Sequence, residues 1–258
     1  MSEGGAPSDG SRALGPLRAL GWMAGALWWG AKSPAGVRAL ALAGLPWAAL
    51  SLLNLPTAGL SMMAAVGFYP QLCLWSALWA REHFKGRRPP FNEVKDAWAS
   101  RWADSRGLPL AFMAVAFAAL AWATLCVQAT SIGVLLEAMR EAKDGEAGRA
   151  LVAQAWDRSG LDGLLWPLAG LQAGLAAING FWLCLPWAAL GDPGQGAGSL
   201  LKGALARFKA APGALCALGL AGSLVAQAGL VFPPFGLLAG VWFLACAFAA
   251  RDLGAFPR

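Results

Sequence analysis

The sequence predicts an all-α, polytopic membrane protein with six transmembrane helices. They form three helical hairpins, each preceded by a cytoplasmic, interfacial amphipathic helix. Three observations predict this. Of 258 residues, 58% are apolar and 13% charged, with a mean hydropathy of +0.53; that is about half the charge of an ordinary soluble domain. Four stretches, 39–80, 107–136, 163–191 and 210–250, hold no Asp, Glu, Lys or Arg. The two longest contain a helix breaker near their middle. A bilayer core of about 30 Å takes about 20 helical residues, so the shorter runs fit one span each and the longer ones two. A soluble helical bundle is the alternative, and this charge distribution argues against it.

The elements follow in order. Residues 1–11, MSEGGAPSDGS, are small and polar and read as a disordered tail, with 12–258 a single transmembrane domain. The tail lacks the pattern of a cleavable signal peptide, so the first span is expected to serve as its own insertion signal. Segment 12–32, RALGPLRALGWMAGALWWGAK, is short for a span and basic at its ends. It is expected to lie along the interface, anchored by Trp28, Trp29 and Lys32, with Pro34 starting the next helix. A seventh span is the alternative, and would put the N-terminus outside. Spans at 37–54 and 57–80 are separated by Asn54-Leu55-Pro56-Thr57-Ala58-Gly59, because proline lacks the helical donor and disfavours helix before it.

In FNEVKDAWASRWADSRGLP (91–109), Val94, Trp98 and Trp102 recur every four residues and share one helical face. Trp98, Arg101 and Trp102 are the anchors of this second interfacial helix. A third span follows at 108–136, then an acidic segment, 137–162. That segment reads as a solvated extension, a break at Asp144-Gly145, and a second amphipathic helix turning Leu151, Ala155 and Trp156 to the membrane or a partner. The fourth span is 163–190. In SLLKGALARFKAAPG (199–213), Leu201, Leu205 and Phe208 share a face while Lys202 and Lys209 point away, and Arg207 and Lys209 anchor it. Spans at 213–231 and 234–250 are parted by Phe232-Pro233-Pro234-Phe235-Gly236.

Six spans put 16 of the 20 cations on one side, together with both termini. The positive-inside rule makes that side cytoplasmic and the membrane a bacterial inner membrane, with 137–162 periplasmic. The pI of 9.4 then reflects attraction to anionic lipid headgroups rather than to nucleic acid, for which the chain has no motif.

The unit of basic helix, proline and hairpin recurs. ALWARE (77–82) is similar to AFAARD (247–252), and AKSPAG (31–36) to KAAPG (209–213), which reads as an internal repeat. GWMAGALWWGAKSPAGVRALAL (21–42) and SLLKGALARFKAAPGALCALGL (199–220) resemble a family of uncharacterised proteobacterial inner-membrane proteins. There a Gly-Trp segment ending in a basic-x-Pro step leads into the first hairpin, and a basic or Ser-rich amphipathic segment into the last. The resemblance covers most of the chain and implies no activity; the acidic insertion at 137–162 departs from it.

Catalytic signals are absent. The single histidine, His83, reads as a headgroup-level residue, and Cys73, Cys126, Cys184, Cys216 and Cys246 as small apolar packing residues without CxxC spacing. We therefore expect no catalytic group, metal or cofactor. Apart from Arg38 at the head of the first, the spans carry no charge, where coupled transporters keep one in the interior. Their polar groups include Thr124 and Gln227, and Gln71, Gln128, Gln172 and Asn179 are the candidates for a polar path; interhelical hydrogen bonding is the plainer reading. Gly170-xxx-Gly174 and Gly236-xxx-Gly240 should permit close helix approach. The expected function is a non-enzymatic scaffold, assembly factor or accessory subunit, meeting a membrane protein partner through 137–162. A facilitator or channel for a small uncharged solute is second, and a lipid-acting enzyme third.

Overall fold

The structure, a computed structural model, describes residues 15–32, 34–54, 74–79, 81–82, 90–104, 107–128, 145–191 and 196–254. All regular structure among them is helical: α1 (Leu17–Lys32), α2 (Pro34–Asn54), α3 (Phe91–Asp104), α4 (Gly107–Gln128), α5 (Gly145–Gly191), α6 (Ala197–Ala210), α7 (Pro212–Val231) and α8 (Leu238–Asp252), with a 3₁₀ turn at Pro233–Leu237 before α8. A short helical piece at 74–79 lies between α2 and α3. Prolines stand in the opening position of α2 and α7, where a missing N–H costs no hydrogen bond.

Among the described residues three helices are long and apolar enough to cross a membrane: Gly107–Cys126 of α4, Leu165–Leu190 of α5 and Pro212–Gly229 of α7. Their surfaces fit lipid. In α4, Leu110, Phe117, Leu120 and Leu125 are each at least 60% exposed, a contiguous apolar stripe that a protein in water seldom presents. These helices match the third, fourth and fifth expected spans. Of the others, 37–54 falls within α2, which carries Arg38 and Pro46 and is not among the three. Span 57–80 lies outside the described residues except for 74–79. Span 234–250 is divided between the 3₁₀ turn and α8, whose 15 residues rise about 22 Å, short of a bilayer core.

The three long helices run antiparallel to their neighbours. Phe112 of α4 meets Trp182 of α5 with ring centroids 5.3 Å apart, while Trp122, ten residues on, lies against Gly174. Along α5 and α7 the pairs are Gly180 with Leu215, Asn179 with Ser223, and Gln172 with Gln227. The core sits at one end of this sheaf, where Leu183–Leu190 of α5 are buried all round by α4, α6, α7 and helix 74–79.

The acidic segment differs from its expected form. From Gly145 the chain is one helix of 47 residues through Gly191, so the second amphipathic helix and the fourth span are continuous. Residues 145–164 prolong the span by about 30 Å, with Glu146, Arg149 and Asp157 exposed. Proline in a helix interior removes one hydrogen bond, yet Pro167 and Pro186 both sit inside α5 without ending it. The side chains of Leu151, Ala155 and Trp156, and the Asp144 side of the expected break, lie outside what the structure describes.

Two helices expected to lie flat on the membrane are laid lengthwise on other helices. Arg18 and Trp22 of α1 meet Asp252 at the end of α8, Gly25 faces Phe248, and Gly30 meets Leu40 of α2, whose backbone lies against Gly240 at the start of α8. So α1 runs antiparallel to α8 along its length. In α6, Gly203 lies against Ala188 and Phe208 against Phe181, which lays it on the last turns of α5. Its inner face is Leu200 and Ala204 with half-buried Leu201 and Phe208, whereas Leu205 of the expected stripe is exposed. In both helices small residues, Ala19, Ala26 and Gly30 in α1 and Ala204 in α6, are buried and allow close approach.

Candidate functional site

Polar side chains of two of the long helices, α5 and α7, meet in one seam. Asn179 stands seven residues from Gln172, and Gln227 four from Ser223, so each pair occupies one helical face. Gln172 and Gln227 exchange hydrogen bonds, Nε2 of each donating to Oε1 of the other at 3.1 and 3.2 Å. Nδ2 of Asn179 donates to Oγ of Ser223 at 2.6 Å, and that hydroxyl donates to the Gly219 carbonyl at 3.1 Å. Since the serine has one hydrogen and spends it on Gly219, it can only accept from Asn179, which fixes the amide orientation.

Close backbone approach makes these bonds possible. A Cβ on Gly219 would meet the Ala176 carbonyl and stand 2.6 Å from the Gly180 nitrogen; one on Gly180 would stand 2.5 Å from the Leu215 oxygen. Of the glycines singled out from spacing, Gly170 has nothing within 4 Å among the described residues, Gly174 lies against Trp122, and Gly240 against Leu40. The contact that joins α5 to α7 is therefore Ala176/Gly180 on Gly219.

Beside the seam lies a partly open cavity of about 100 Å³. Trp47 of α2, Asn179 and Trp182 of α5, Ala226 of α7, and Trp242 and Phe243 of α8 line it. Trp242 is held by its Nε1, which donates to the Leu218 carbonyl at 2.8 Å, and by Gly222, whose missing side chain leaves room for the indole.

The two ends of the described chain meet at the opposite end of α8. Nη2 of Arg18 donates to Oδ2 of Asp252 at 2.6 Å, Nε1 of Trp22 donates to the same oxygen at 2.9 Å, and Arg251 is 3.5 Å from Oδ1. Burial alone would raise the carboxyl pKa. The hydrogen bonds from Trp22 and Arg18, with the charges of Arg18 and Arg251, outweigh it and hold Asp252 below its ordinary value. A similar acid closes helix 74–79: Glu82, 8% exposed, pairs with Arg81 at 3.0 Å and shares a small pocket with Val94 and Ala97 of α3.

The expected site residues are distributed among these features. Gln172 and Asn179 come together in the seam; Gln71 lies outside the described residues, as does the side chain of Gln128. Trp28 is exposed, with Lys32 Nζ 3.5 Å above its ring, and Trp29 packs on the core. Trp98 meets Trp75 edge-on with centroids 6.1 Å apart, which places its indole within the protein. The side chains of Arg101 and Trp102 are outside the description. Half-buried Arg207 donates to the Gly203 carbonyl of its own helix at 3.2 Å, and Lys209 is exposed. Sequence reasoning missed Ser223, Arg18 and Asp252. The four-residue step from Ser223 to Gln227, matched against Gln172 and Asn179, was a usable signal; the 234-residue separation of Arg18 and Asp252 left none.

Among the described residues no three His, Cys, Asp or Glu side chains are grouped to hold a metal ion. No family model, no curated protein and no solved structure matches the chain.

Proposed function

We propose that the protein is a non-enzymatic integral membrane protein, a scaffold, assembly factor or accessory subunit that works by helix packing and contact. One observation carries this reading: the polar groups buried among the long helices pair with one another, Gln172 with Gln227 and Asn179 with Ser223. Polar groups so used hold helices together, at about 0.6 kcal/mol per bond on average, and leave little for a hydrated path. The extension 145–164, with Glu146, Arg149 and Asp157 exposed, supplies a surface for a membrane protein partner. Crosslinking and affinity purification from native membranes tests the reading; the same partner should recur across crosslinkers, and its absence from every preparation would refute it.

On this reading the membrane is a bacterial inner membrane with anionic headgroups against the basic side, crossed six times by three repeated hairpins, with both termini cytoplasmic. The contact of Arg18 with Asp252 supports termini on one side. The shared chemistry of Arg81–Glu82 and Arg251–Asp252, each against an amphipathic helix, supports the repeat. Cysteine labelling of Ser11→Cys and Ala147→Cys tests the threading: the first should react only from inside, the second only from outside. Kinship with the proteobacterial family that 21–42 and 199–220 resemble would add no activity. A facilitator for a small uncharged solute is the second reading, favoured by Asn179 at the cavity wall. Proteoliposomes with no solute flux above empty vesicles would reject it.

A further inference from the structure

The geometry points to the cavity between α2, α5, α7 and α8 as a binding site for an uncharged, single-ring lipophile bearing a hydroxyl, a phenol in size and chemistry. The inference is independent of whether the protein is a scaffold or a facilitator. Its walls are aromatic on several sides: Trp47, Trp182, Trp242 and Phe243. Rings take offset or edge-on contacts with such walls. The walls are also preformed. Trp242 is pinned to the Leu218 carbonyl and stands 5.0 Å, centroid to centroid, from Phe243, and Trp182 is braced by Phe112. A preformed pocket spares the ligand the ordering cost of building it.

Size and polarity select the ligand. An enclosed dry apolar cavity of about 150 Å³ accepts benzene; about 100 Å³ that is open on one side takes at most one ring, part of which extends into the opening with any tail. No lining residue is ionisable, and a charge buried there would have no partner. Asn179 is the lining side chain that carries an acceptor. Its Nδ2 is committed to Ser223, whose hydrogen is committed to Gly219, and no described residue donates to its Oδ1. That oxygen therefore asks for a donor from the ligand, which a hydroxyl supplies and a plain hydrocarbon ring does not.

The test compares 4-fluorophenol with fluorobenzene by ¹⁹F NMR, using the full chain in detergent micelles against protein-free micelles. Both should bind saturably to the wild type, the phenol about five-fold more tightly after correction for micelle partitioning, the worth of one hydrogen bond of about 1 kcal/mol. Ala226→Phe should fill the cavity and abolish saturable binding of both. Asn179→Leu should reduce the phenol to the affinity of fluorobenzene while leaving fluorobenzene binding in place, which also reports that the variant is folded. The proposal is overturned if the wild type shows only unsaturable partitioning, if Ala226→Phe binds as the wild type does, or if a folded Asn179→Leu keeps the preference for the phenol.

Discussion

Gly219→Ala and Gly170→Ala make the same chemical change on the two faces of the central helix pair, and the structure assigns them opposite signs. An added methyl at 219 meets backbone atoms of Ala176 and Gly180, which cannot rotate away as a side chain would, so α5 and α7 must separate. Overpacking of this kind costs about 1–3 kcal/mol. Separation also weakens the Asn179–Ser223 bond, about 0.6 kcal/mol in a membrane protein. Alanine returns up to about 1 kcal/mol through its better helix propensity, leaving a net loss of about 1–2 kcal/mol. At 170 no described atom lies within 4 Å, so the propensity gain stands alone. The two variants should differ by about 2–3 kcal/mol, roughly 30- to 150-fold in the unfolding equilibrium. Tryptophan fluorescence during titration with a denaturing detergent in mixed micelles measures this. If Gly170→Ala proves as costly as Gly219→Ala, the assignment of the α5–α7 contact is wrong.

Further outcomes follow from the same geometry. Gln172→Leu alone strands Gln227 and should cost more than the double variant Gln172→Leu/Gln227→Leu, which removes both partners; a double-mutant cycle showing strict additivity would break the pairing. Asp252 is held below its ordinary pKa, so its stabilising contribution is present at neutral pH and is lost as pH falls through the lowered value. The stability gap between wild type and Asp252→Asn should therefore close on acidification, and a gap that stays constant with pH would contradict the latch with Arg18 and Trp22. Spin labels at Gln154 and Ala173, both exposed on α5, should lie about 28 Å apart along one unbroken helix. A shorter or two-peaked distribution by pulsed electron resonance would show a hinge near Gly160.

Much of the helical content was legible because its signal is a run of residues. Charge-free stretches set the α5 and α7 spans and the start of the α4 span to within a few residues, and Pro212 marked where α7 begins; the expected end of the α4 span, at 136, lies outside the described residues. The extension of α5 was expected to be a separate amphipathic helix because the charge-free run begins only at Gly163, whereas the chain is one helix from Gly145 through Gly191. On α6 the expected face held for Leu201 and Phe208, which pack on the core, and failed at Leu205, which is exposed while Ala204 is buried; the small residue allows the closer approach.

Composition and charge placement alone mark an apolar, helical chain broken into charge-free runs, since solvation acts on each residue whatever its distant neighbours are. Of the six spans expected from those runs, three are helices long and apolar enough to cross lipid among the described residues. Which polar groups find each other is a different kind of fact. Gln172 meets Gln227, and Arg18 meets Asp252, only when helices far apart in the chain come to a common level. That level is set by contacts such as Gly219 on Ala176 and Gly240 on Leu40, which come into being only when the helices pack.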